Sequence, residues 1–192
     1  MDATMSTIWD FITKPNQNLT RFMITVNKAG APYVRQVSCF VEPGFVMGTI
    51  GRLPSDLKMV HLKNNPAVTM MWVELGRTAA AGGAGQGVAR NVCIEGRAEL
   101  VTNLNDVNAF LRRRSTAQGA GDVVPPSDYD RYLMKIKPVL LRAEGFVGSN
   151  VNIVTLRDFQ NPDSYLVGDY RWQTNTVPAA DRAKAPKRGV RA

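Results

Sequence analysis

Apolar and polar residues alternate along much of the first 150 positions, the pattern typical of half-buried β-strands. This period of two predicts strands at residues 20–26, 33–41, 45–50, 67–74, 91–102 and 137–147. Helical spacing predicts helices at residues 6–14, 54–65, 104–117 and, briefly, 129–135. Because single helices interrupt the strands in place of regular βαβ units, we expect a six-stranded antiparallel split β-barrel, mainly β, with helices at its rims.

Two local patterns orient these elements. In the first strand, Phe22, Ile24 and Val26 share one face. In the second helix, Ser55 is in position to act as the N-cap, and Leu57, Val60 and His61 lie on one side.

The chain divides into an N-terminal helix (1–18), a barrel domain (19–157) and a C-terminal extension (158–192). The net charge of +8 comes from 24 basic and 16 acidic residues, and residues 171–192 alone hold six basic residues and one acidic residue. Residues 177–192 have almost no large apolar side chains, which predicts a flexible basic tail. We interpret it as a solubilising terminus, because no aromatic side chains are interleaved with its charges, so nucleic acid is not the expected partner.

The composition excludes several classes. No apolar run approaches the roughly 18 residues of a membrane span, and residues 1–14 do not resemble a secretory signal. Two distant cysteines, Cys39 and Cys93, make no disulfide framework and fit the cytoplasm. With a single histidine, His61, a zinc site of Cys and His ligands is not expected.

A few positions carry candidate chemistry. Ser55 and Lys58 offer a hydroxyl, helix N–H groups and a cation to an anion, although an ordinary capped helix explains them equally well. Arg35 lies in an otherwise apolar strand, so it either meets an anion or lies at a solvated edge, and Arg52 belongs to the same neighbourhood. We favour a packing role for His61 over a catalytic one, and we interpret the glycine-rich run 82–87 as a hairpin loop, because a strand follows it and not a helix.

The order of four motifs resembles a known family. They are Tyr33-Val34-Arg35-Gln36-Val37-Ser38, Gly48-Thr49-Ile50, Lys58-x3-Leu62-x2-Asn65-Pro66 and Glu95-Gly96-Arg97-Ala98. Together, over about residues 19–147, they resemble the flavin-binding split barrels of the pyridoxamine 5'-phosphate oxidase-like superfamily. The resemblance implies a homodimer with the flavin in a groove at the dimer interface. It also implies that the cofactor contacts Arg35, Gln36, Val37, Ser38, Thr49, Ser55 and Lys58.

The resemblance implies an oxidoreductase that transfers hydride between bound FMN, or the deazaflavin F420, and an unknown small-molecule substrate. The C-terminal region lacks the Arg-x-His pattern of genuine pyridoxamine phosphate oxidases, so vitamin B6 is not the expected substrate. The alternative is a non-catalytic flavin- or haem-binding split barrel, in which His61 or a methionine would be an axial ligand. No catalytic residue is assigned.

Overall fold

The computed structural model of the protein describes residues 1–14, 19–74, 90–117, 119, 131–148 and 152–169. The helices in these ranges are α1 (Ala3–Thr13), α2 (Leu57–Asn64) and α3 (Leu104–Ala117). The strands are β1 (Leu19–Val26), β2 (Pro32–Gln36), β3 (Phe40–Glu42), β4 (Val46–Arg52), β5 (Ala67–Glu74), β6 (Asn91–Val101), β7 (Arg131–Glu144), β8 (Asn152–Leu156) and β9 (Leu166–Asp169). None of these helices is long and apolar enough to cross a bilayer.

All strands pair antiparallel, in the order β2-β1-β5-β6-β7-β4-β3, and β8 and β9 extend the sheet from β7. The two ends of this path, β2 and β3, are consecutive in the chain and are joined by residues 37–39 alone. In a flat sheet they would lie about 29 Å apart, at roughly 4.8 Å per strand. The connection spans at most about 14 Å. The sheet must therefore curl until its ends approach each other, as in a barrel.

The linker formed by Val37, Ser38 and Cys39 is called the seam below. The Val37 N–H donates to the Arg21 carbonyl of β1 at 3.1 Å. The Thr49 hydroxyl of β4 donates to the Ser38 carbonyl at 3.5 Å. These bonds tie the seam to both ends of the curled sheet.

The barrel interior is filled by large apolar side chains, among them Met23, Met70, Trp72, Ile94 and Ile136. Helix α1 adds Met5, Ile8 and Ile12 to the same core. It begins at Ala3 because the Asp2 carboxylate caps it by accepting from the Met5 N–H at 2.9 Å. The Tyr165 hydroxyl donates to the same carboxylate at 2.7 Å and joins the helix start to the segment before β9.

The β6 strand bends at a bulge between Glu95 and Gly96. A side chain at Gly96 would come within 2.7 Å of the Lys137 carbonyl on β7, so only glycine permits this close approach of two backbones. The bend lets one long strand pair with β5 and β7 while it follows the curvature of the barrel.

The split barrel expected from the sequence is confirmed, with three differences in its strands. The seam divides the predicted strand 33–41 into β2 and β3. The helix predicted at 129–135 is wrong, because Arg131 begins the long strand β7. Strands β8 and β9 were not predicted from the sequence.

The predicted cap and helix face of α2 are also wrong. Asp56, and not Ser55, is the N-cap of α2, because its carboxylate accepts from the Lys58 N–H. The helix buries Met59, His61 and Leu62, whereas Leu57 is exposed.

In β1 the buried residues are Leu19, Met23 and Thr25, and the face shared by Phe22, Ile24 and Val26 is only half-buried. The predicted loop 76–90, except Arg90, and the predicted tail 177–192 lie outside the described residues.

Candidate functional site

Two of the predicted cofactor residues meet at the seam. The Ser38 carbonyl accepts from Thr49, which is 2% exposed, and the Ser38 side chain accepts from the Arg114 guanidinium of α3 at 2.6 Å. The neighbouring Arg113 pairs with Glu42 at 2.6 Å. The end of α3 therefore holds both the seam and the end of β3.

Arg35 lies at the opposite side of the seam and contacts α2. Its Nη2 is 3.5 Å from His61 Nδ1, and the Thr25 hydroxyl lies 3.0 Å from the same nitrogen. Because a guanidinium can only donate, Nδ1 is the acceptor in the contact with Arg35. The Tyr33 ring packs edge-on to the imidazole at 4.8 Å. His61 is buried and held from three sides, as its packing interpretation predicts.

Gln36 and Val37 lie in the chain between Arg35, which contacts α2, and Ser38, which contacts β4 and α3. Gln36 is exposed, and Val37 is half-buried against the core. Among the described strands β2 pairs with β1 alone, so its other edge carries backbone groups that the sheet does not use. The predicted cofactor-binding run 35–38 thus begins on this edge and continues into the seam, where the Val37 N–H and the Ser38 carbonyl already have partners.

The start of α2 places Lys58 differently from the sequence-based expectation. Its ammonium bonds Asp56 at 2.7 Å, and only 14% of the side chain is exposed. The Lys58 cation already has a partner within the chain. Lys58 and His61 are three residues apart on α2, so they are neighbours on one face, and Arg35 approaches that face through His61.

A groove of about 610 Å³ opens beside the start of α2 and is called the α2 groove below. It contains the predicted residue Ser55, together with Arg52 of β4 and Arg131 of β7, which are paired across the sheet. Asp56 lies there too, and Gly51 forms part of the wall. Two arginines, a serine and an aspartate therefore line one space.

Three contributors to these sites were not predicted from the sequence. Arg131 fell in a segment predicted to be helical, so its pairing with Arg52 was hidden. Arg114 and Thr25 reach Ser38 and His61 across 76 and 36 positions of sequence, respectively, and no local pattern reports such contacts.

Cys39 lies in the seam, and burial raises the pKa of its thiol to about 12. The charges of Arg21 and Arg114 favour the thiolate but only partly offset this effect. A thiol that stays protonated is a poor nucleophile, so Cys39 is a structural residue. No group of three or more His, Cys, Asp or Glu side chains within the described ranges is arranged to hold a metal ion.

Comparisons with known proteins bear on the fold. No protein-family model matches the sequence, and no curated protein matches it. Among solved structures, a pyridoxamine 5'-phosphate oxidase-related, FMN-binding protein from Nostoc punctiforme has a TM-score of 0.58 at 12% identity, covering 88% of this chain and 97% of its own. The chain has the split-barrel fold of the pyridoxamine 5'-phosphate oxidase-related proteins.

Two further solved structures are similar to this chain over most of its length. A conserved hypothetical protein from Mycobacterium tuberculosis has a TM-score of 0.58 at 17% identity, covering 74% of this chain and 84% of its own. General Stress Protein 26 from Bacillus anthracis has a TM-score of 0.53 at 18% identity, covering 82% of this chain and 99% of its own. At such identities the likeness establishes the fold, and the site has to be argued from its own residues.

Proposed function

We propose that this protein binds FMN and is a flavin-dependent oxidoreductase acting on a small molecule. The observation that carries the proposal is that the run 35–38 contacts two separate segments: Ser38 contacts Thr49 of β4, and Arg35 contacts His61 of α2. The end of β4 and the start of α2 then line one groove, which contains Ser55. The FMN-binding protein of the same fold adds support.

The residues present fit the phosphate of FMN. The α2 groove offers Arg52, Arg131 and the Ser55 hydroxyl, with Lys58 adjacent. Guanidinium groups bind phosphate oxygens in pairs of parallel hydrogen bonds, so two of them suit a dianion. The Asp56 carboxylate would repel that dianion, and its bond to Lys58 reduces the repulsion.

The edge formed by residues 35–38 would serve the ring system. Flavin rings carry donors and acceptors along one side, and an edge strand presents N–H and C=O groups in alternation. Arg35 adds a positive charge, while Thr49 and Arg114 keep the backbone at Ser38 in one position. A bound flavin supplies the hydride chemistry, and the chain supplies binding, orientation and electrostatics.

The same contacts would accept the deazaflavin F420, because it presents a comparable chain and phosphate. We favour FMN. We further propose a homodimer in the cytoplasm, since Cys39 and Cys93 are both free thiols and the apolar side chains of Val34 and Val139 are exposed on the barrel.

Cofactor-free protein titrated with FMN and with F420, followed by intrinsic tryptophan fluorescence at two salt concentrations, tests the binding. Micromolar FMN binding supports the proposal. Binding of F420 alone would change the cofactor, and binding of neither would remove the flavin function and favour a haem-binding or other non-catalytic role.

A second measurement separates an enzyme from a flavin store. FMN-loaded protein is photoreduced without oxygen and mixed with a panel of quinones and nitroaromatic acceptors. An enzyme should reoxidise with one acceptor faster than free reduced FMN does. Reoxidation no faster than the free flavin throughout the panel would contradict the oxidoreductase assignment.

A further inference from the structure

We propose that the cavity between α3 and the outer face of β4 and β7 binds a small aliphatic amino acid. This α3 cavity has a volume of about 210 Å³ and is lined from α3, β3, β4, β6 and β7. Pockets for drug-sized ligands measure about 300–1,000 Å³, so this one suits a smaller molecule. The proposal does not depend on flavin binding, because none of the predicted cofactor residues lines the cavity.

The cavity has an apolar floor. On α3, Asp106, Ala109, Phe110 and Arg113 recur at the spacing that places them on one face, and all four line the cavity. Phe110 and, on β7, Leu133 are buried beneath it. An aliphatic side chain packed against this floor would remove its own apolar surface from water.

The charges around the floor are balanced but not all paired. Arg113 and Glu42 form an ion pair at 2.6 Å at one side. The side chains of Asp106 and Lys135 form no ion pair within 4.0 Å and no hydrogen bond with any residue of the described ranges. Lys135 lies opposite Glu99 of β6, and the Glu99 carboxylate forms its ion pair with Lys137. Asp106 belongs to the first turn of α3, and Lys135 belongs to β7, so two rigid elements hold these opposite charges apart.

This arrangement selects for a molecule with both charges. A simple anion would meet Asp106 and Glu42, and a simple cation would meet Lys135 and Arg113. An α-amino acid can place its ammonium at Asp106 and its carboxylate at Lys135, and both contacts are then charge-assisted hydrogen bonds. Its side chain lies on Phe110 and Leu133.

Isothermal titration of the full chain with L-leucine tests the proposal. Two matched compounds each lack one charge: 4-methylpentanoate has no ammonium, and 3-methylbutylamine has no carboxylate. Each should bind at least about tenfold more weakly than leucine, because it loses one charge-assisted hydrogen bond. The absence of saturable leucine binding up to roughly 10 mM, where a ligand with a Kd near 1 mM is mostly bound, would overturn the proposal.

Variants locate the binding. Lys135→Met and Asp106→Asn should each weaken leucine binding by about tenfold or more. Lys137→Met is the matched control, because Lys137 lies on the same strand and pairs with Glu99 outside the cavity. Melting curves identify folded variants. Leucine binding that survives in both folded variants, or is lost equally in the control, would place the ligand elsewhere and overturn the assignment.

Discussion

Lys58 and Asp56 form an ion pair that sets the electrostatic balance of the α2 groove. Replacing Lys58 by alanine removes a cation and leaves the Asp56 carboxylate without its partner. We expect FMN affinity to fall by about ten- to a hundredfold, the equivalent of one charge-assisted hydrogen bond. Fluorescence titration of cofactor-free Lys58→Ala protein measures this loss.

Lys63→Ala is the matched control, because Lys63 lies exposed at the other end of the same helix. Asp56→Asn should act in the opposite direction and tighten binding, since asparagine also caps helices well and carries no charge. Equal affinities in wild type and Lys58→Ala would remove Lys58 from the phosphate site.

Cys39 provides a test of burial at the seam. With a pKa of about 12, about one thiol in ten thousand is ionised at pH 8. In a Cys93→Ser background, Ellman's reagent should therefore label Cys39 very slowly in native protein and rapidly in urea.

The same pKa shift makes a prediction about stability. The folded thiol ionises at a higher pH than the unfolded thiol, whose ordinary pKa is 9.0. The stabilisation is complete below about pH 9 and is lost as pH rises toward 12. Urea unfolding at pH 7.5 and 10 should show a larger loss of unfolding free energy in the Cys93→Ser protein than in a version that also carries Cys39→Val. Fast native labelling or equal losses would contradict a buried thiol.

At the scale of elements, β1, β5 and β6 were predictable, and the start of β7 was not. In β5 the buried residues Val68, Met70 and Trp72 alternate with less buried ones, so the sequence carries the period of two. In β7 the adjacent residues Leu133 and Met134 are both buried. Leu133 faces α3, and Met134 faces the barrel core. A strand covered on both faces loses its alternation, and its pattern resembles a buried helix.

The same effect hid β8, where Ile153 and Val154 are both buried. For the candidate site, the sequence identified residues that lie close together along the chain, such as Arg35 and Ser38. It could not show that Lys58 pairs with Asp56, because Ser55 and Asp56 are equally suitable caps by residue type.

The docking of α3 depends on Gly48 of β4. The Phe110 ring lies directly over this glycine, so that a methyl group there would overlap the ring, and Leu133 is also near. Gly48→Ala should lower the free energy of unfolding by about 1–3 kcal/mol, the usual cost of overpacking. Urea unfolding followed by circular dichroism measures this change.

A second substitution tests whether the ring is the cause. Phe110→Leu replaces the ring with a smaller side chain. The double variant should therefore lose less unfolding free energy than the sum of the losses in the two single variants. Additive losses would show that Gly48 is needed for another reason.

At the scale of the whole molecule, apolar side chains are exposed on β2 and β7. Val34 is 61% exposed and is paired with Ile24, which lines a groove of about 290 Å³ together with Val139, itself 50% exposed. Such a patch beside the cofactor edge favours an interface between two copies of the chain. We expect a homodimer by light scattering at micromolar concentration with FMN present.

Single charges placed on this face should separate the two copies. Val34→Asp and Val139→Asp would each bury an unpaired carboxylate at the interface, and both should shift the protein toward monomers and weaken FMN binding. Leu166→Asp is the matched control: Leu166 is 65% exposed on β9 and does not line the groove that contains Ile24 and Val139, so its variant should remain dimeric. A wild-type monomer, or a dimer broken only by Leu166→Asp, would exclude the outer face of β1 and β2 as the interface and show that the cofactor edge works within one chain.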